Sequence, residues 1–204
     1  MATPSTKTLY FSVISAVILL VSLTFQWNII DIVTPFFILP FLGVAWFLVL
    51  LSVISGVVQA DQHKSKGISA FLPLVISCST LLAAFFIPFT QIWLYANFHL
   101  YKSTREKVVE KVKAGILVPN IPHNASLIAL PEGTGVSMGG DEIVVEGAAN
   151  NPYVFFYTFR GIMDNYSGFL WVPDGGKPEQ FSDAAEPSTE IEALGGNWYF
   201  VGHR

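Results

Sequence analysis

The sequence predicts a membrane α-helical protein: three transmembrane helices followed by a small, mostly-β C-terminal domain. Two observations carry the prediction. Residues 8–30, 32–60 and 67–101 hold no Asp, Glu, Lys or Arg, three stretches of 23, 29 and 35 residues. A membrane-spanning helix needs about 20 mostly apolar residues. After residue 117 the apolar residues instead alternate with polar ones, the period of a half-buried strand. Composition agrees: 52% of the 204 residues are hydrophobic and 13% are charged, with a mean hydropathy of +0.52. Soluble chains carry roughly 25% charged residues. Disordered chains, nucleic-acid binders and ordinary soluble globules are thereby excluded. The single cysteine excludes an intrachain disulfide and a cysteine-based metal site.

The transmembrane domain is expected over residues 1–101, with spans at about 9–27, 35–59 and 69–95. Lys7 before the first apolar run matches a signal peptide, but no small-x-small cleavage site follows the run, so it reads as a retained anchor. Gln26, Trp27 and Asn28 close this span, with Trp27 suited to the headgroup level. Thr34 and Pro35 read as an N-cap and first helical residue for the second span, with Pro40 one turn later. Ser69 is a candidate cap for the third span. Pro88 falls inside it, where the carbonyl four residues earlier loses its donor. The small polar run Ser77, Cys78, Ser79, Thr80 allows close helix approach, either within this chain or at the seam of a homo-oligomer. Charged residues inside spans mark ion and proton pathways, and these spans have none.

A juxtamembrane amphipathic helix is expected over residues 102–116. Ser103 and Glu106 fit a capping box, Val108, Val109, Val112 and Ile116 recur at helical spacing, and Gly115 is placed as the stop. Lys102, Arg105, Lys107, Lys111 and Lys113 follow the third span directly, which suits contact with anionic lipid headgroups.

Residues 117–204 read as an acidic β domain of about five strands: 126–130, 142–147, 153–159, 169–172 and 198–201. The strand at 153–159 is apolar on both faces, so it belongs in the sheet centre or under a partner. Residues 174–190 read as an acidic loop. From residue 117 on there are 3 basic and 11 acidic residues, a net charge of −8. That surface disfavours nucleic acid and favours a protein partner with basic patches. Three spans place the termini on opposite sides. Lys7, Lys64 and Lys66 on one side face five basic residues on the other, and this excess favours a cytoplasmic β domain.

No catalytic signature is present. Gly133-Thr134-Gly135 with Gly139-Gly140 misses the dinucleotide spacing and precedes a strand instead of a helix, so it reads as a loop. No cofactor and no metal site are expected. The most distinctive segment is 160–168. Arg160, Asp164, Asn165 and Ser167 form the candidate ligand or partner site, with an Arg160–Asp164 ion pair as the plainer reading. The run Phe155-Phe156-Tyr157-Thr158-Phe159-Arg160-Gly161, then Asp164 to Phe169 and Pro173-Asp174-Gly175, resembles a pattern in a family of small bacterial membrane proteins with a C-terminal β domain. The resemblance implies a bacterial inner-membrane origin and no particular activity. The leading expectation is a non-enzymatic, membrane-anchored interaction protein, an accessory subunit of a membrane complex. Two alternatives stay open: a membrane effector or immunity-type protein whose β domain senses a signal or toxin, and a membrane-bound enzyme.

Overall fold

A computed structural model describes residues 6–63, 67–131, 133–161, 166–186 and 188–203. They fall into two compact units, residues 1–93 and 94–204.

The first unit is helical. Helix α1 (Thr6–Thr24) leads through the short α2 (Gln26–Val33) into α3 (Pro35–His63). A 3-10 turn (Ile68–Ala70) then precedes α4 (Leu72–Phe86), and α5 (Phe89–Lys113) follows after a break at Ile87 and Pro88. Pro35 opens α3 as its spacing implies, and Pro40 lies inside that helix without ending it. Helices α1 and α3 are each long and apolar enough to cross a membrane. The third crossing exists only if α4 and α5 count as one span, bent by 66° at Ile87–Pro88. Pro88 cannot donate to Ala84, and the helix breaks there instead of merely bending.

The bundle interior is small and polar in places. Leu19, Ala45 and Val49 form its apolar centre. Beside them, Ser52 of α3 lies 2.8 Å from Ser12 of α1 and 2.7 Å from Ser77 of α4, joining three helices through buried hydroxyls. Ser12 also donates to the Thr8 carbonyl and Ser77 to the Pro73 carbonyl. Three hydroxyl protons therefore serve four short contacts. Gly56 lets α3 approach α4 closely, since a Cβ there would stand 2.9 Å from the Leu74 backbone. Ser77 and Thr80 are thus used inside the chain, while Cys78 is exposed.

The second unit is a six-stranded antiparallel sheet in the order β1-β2-β3-β4-β6-β5, with most of α5 on one face. Its strands are β1 (Leu127–Ala129), β2 (Glu142–Ala148), β3 (Asn151–Arg160), β4 (Tyr166–Trp171), β5 (Thr189–Gly195) and β6 (Trp198–His203). Phe98, Val108, Val109 and Val112 of α5 pack on Ile143, Phe156, Phe169 and Trp198. The opposite face holds Phe155, Leu170 and Val201, covered by Phe181 and Ala184 from two 3-10 turns (Pro178–Gln180, Ser182–Ala185). Both apolar faces of β3 are therefore filled from within the chain. Where the sequence suggests a loop over 174–190, these turns dock on the sheet and β5 begins at Thr189. Strand β5 escapes sequence reading because Ile191 and Leu194 are its only large apolar residues, and a bulge between Ala193 and Gly195 breaks their alternation.

The structure also differs at residue 103. Ser103 caps nothing: α5 runs unbroken from Phe89 to Lys113, and Ser103 is an exposed mid-helix residue. Gly115, with φ +67°, does end it; Ile116 N–H donates to the Lys111 carbonyl and Gly115 N–H to the Val112 carbonyl. Ile116 itself is 70% exposed, beyond the packed stripe.

Candidate functional site

The corner where β3 meets β4 holds the residues singled out by sequence. Asp164 and Asn165 lie outside the described residues. Arg160 pairs across the sheet with Tyr166, and Phe159 with Ser167. Neighbouring residues of a strand point to opposite faces. Arg160 and Ser167 thus take opposite faces of the sheet. Ser167 is buried on the α5 side, 3.2 Å from the Thr158 hydroxyl. Arg160 is exposed on the other side. Its Nη1 donates to Glu142 at 2.6 Å, and its guanidinium lies 4.8 Å from the Tyr157 ring centre. The ion-pair partner supplied by the fold is Glu142 of the neighbouring strand.

Around Arg160 sit two tyrosines whose acidity is weakened. Burial, then hydrogen bonding and proximity to Asp183, hold the Tyr166 hydroxyl far above its ordinary range. Burial also raises Tyr157, against the opposing pull of Arg160. Both phenols stay protonated through the physiological range. The cluster can donate hydrogen bonds and hold an ion pair. Among the described residues no group of three metal-ligating side chains converges.

The basic residues after the third apolar stretch separate into two kinds. Lys107 and Lys111 are exposed, Lys113 bonds Glu110 at 3.2 Å, and Lys102 lies 4.0 Å from Glu106. Arg105 turns inward and is 1% exposed. Its Nε donates to the Val136 carbonyl at 3.1 Å, Nη2 to Asn97 Oδ1 at 2.7 Å, and Nη1 to the Asn97 and Phe98 carbonyls. The guanidinium also stacks 4.5 Å from the Phe169 ring centre. Burial lowers its pKa to about 10, which leaves it charged at neutral pH. Its setting suits a structural strut, not a headgroup contact. The signal was present in sequence: Leu94, Phe98, Tyr101, Arg105, Val108 and Val112 recur at helical spacing, with Arg105 filling an otherwise apolar stripe.

No family model matches the chain, and no solved structure matches it. Among curated proteins it is similar to Polyol transporter 5 of Arabidopsis thaliana, 28% identical over 155 residues. The match covers 67% of this chain and 27% of the transporter, so the chain spans about a quarter of that relative's length.

Proposed function

We propose that the chain is a non-enzymatic, membrane-anchored interaction protein of the bacterial inner membrane, an accessory subunit of a larger complex. Three spans hold the acidic β unit at the cytoplasmic surface, where it meets a protein partner bearing basic patches. The observation that supports this is the character of the β unit. Its two apolar faces are filled by α5 and by Phe181 and Ala184, so its outer surface is left with charge. Asp174, Glu179, Glu186, Glu190 and Glu192 are all exposed, and residues 117–204 carry a net −8. The apolar β3, which alone suggested a covering partner, needs none. The oligomer-seam reading loses its support in the same way, because Ser77 and Thr80 are buried inside the bundle. Transport is not carried over from the polyol transporter, since only 27% of that protein is matched.

The test is purification of the tagged chain from gently solubilised native membranes. A stoichiometric second protein is expected, retained at low salt and shed at high salt. Glu179→Gln with Glu192→Gln should weaken that retention while the folded protein persists. Absence of any hetero-partner at low salt refutes the proposal.

A further inference from the structure

The outward face of α5 changes character along its length. At 100° per residue, Ile92, Tyr95, Ala96, His99, Leu100 and Ser103 lie opposite the stripe that packs on the sheet. Ile92 is 55% exposed, Tyr95 60% and Leu100 68%. Lys102, part-exposed, borders this face beside Tyr95, and no other charged residue lies on it before Ser103. Beyond it come Glu106, Lys107, Glu110 and Lys111. Tyr95 and His99 place their ring centres 4.4 Å apart on the same face, amphipathic rings of the kind found at membrane–water boundaries. Single exposed apolar residues need no explanation, but a contiguous apolar face marks an interaction surface.

We propose that the occupant of this face is the bilayer interface: Tyr95, His99 and Leu100 contact lipid, and the boundary with water falls near Ser103. The inference rests on the membrane reading of the helical unit and adds a lipid-contact site within residues 94–204. Continuity carries the choice of occupant. Only Ile87 and Pro88 separate α5 from the apolar α4, so its first turns lie where that chain leaves the hydrocarbon. From Ile92 to Leu100 the helix rises about 12 Å, more than the roughly 5–8 Å headgroup layer of one leaflet, so this face reaches from the headgroups into the outer hydrocarbon. The lysines that follow, Lys107 and Lys111, lie about 6 and 12 Å beyond Ser103 along the helix, on the water side of that boundary, where they can attract anionic headgroups. The same helix packs its other face on the β sheet, so lipid and sheet lie on opposite sides of α5.

The experiment uses nitroxide labels on the full chain in liposomes, in a Cys78→Ser background. Single cysteines are placed at Leu100 and Lys107, with Leu50 of α3, 51% exposed, as the control for the membrane reading. Leu100→Cys should relax several-fold more readily with oxygen than with a water-soluble nickel chelate, and Lys107→Cys should show the reverse. A water-like label at Leu100 beside a lipid-like label at Leu50 overturns this inference alone. A label at Leu100 shielded from both reagents overturns it in favour of a protein contact. A water-like label at Leu50 overturns the membrane reading and this inference with it.

Discussion

Arg105 offers the sharpest stability prediction. Arg105→Met keeps most of the side-chain volume and removes every donor. The carbonyls of Asn97 and Phe98 retain their helical partners, but the Val136 carbonyl and Asn97 Oδ1 lose theirs. A buried acceptor left unpaired costs about 1–3 kcal/mol. Two such groups give a loss of about 2–6 kcal/mol, offset in part because no guanidinium then has to be desolvated. A net loss of about 2–3 kcal/mol follows. Arg105→Ala adds a cavity and should cost more. The assay is urea unfolding in mild detergent, followed by tryptophan fluorescence, for the wild type, Arg105→Met, Asn97→Ala and the double variant. The coupling between the two sites should be about 1.5–3 kcal/mol, the worth of a charge-assisted hydrogen bond. A coupling below about 0.5 kcal/mol, with Arg105→Met as stable as wild type, would refute the strut.

Other substitutions read different parts of the fold. Gly168→Ala drives a Cβ into the Phe156 carbonyl and the Phe155 ring, so its urea midpoint should fall by the equivalent of about 3 kcal/mol. Ser52→Ala removes the central hydroxyl of the three-helix network and should cost about 0.6–1.7 kcal/mol in thermal unfolding of the bundle. Tyr166 binds its proton more tightly folded than unfolded, so its share of stability is intact below pH ~10 and is lost as pH rises further. Tyr166→Phe should flatten the alkaline limb of a stability–pH curve.

The helices were legible because charge is excluded from the apolar runs, and a proline cannot be hidden: Pro35 starts α3 and Pro88 ends the regular helix before it. The central strands were legible from aromatic and β-branched residues at 153–159. Other elements resisted for physical reasons. The capping pattern at Ser103 is a local preference, and continuous packing of Phe98, Val108, Val109 and Val112 on the sheet overrides it. Arg105 looks like a surface charge because nothing local reveals that Val136, 31 residues on, will accept its hydrogen bond. At the candidate site, Arg160 and Ser167 belong to one polar cluster in sequence. The strand pleat divides them, and Glu142, the partner of Arg160, comes from 18 residues upstream.

The number of membrane crossings is the central claim, and labelling from both sides tests it most directly. In a Cys78→Ser background, single cysteines at Thr6 and at Glu179, both exposed, are treated with an impermeant maleimide in intact cells whose outer envelope has been opened. Three crossings with a cytoplasmic β unit predict labelling at Thr6 in intact cells and at Glu179 only after lysis. Labelling of both positions from the same side would contradict the account, leaving α1 and α3 as the crossings and α4 as a segment that enters the membrane without traversing it.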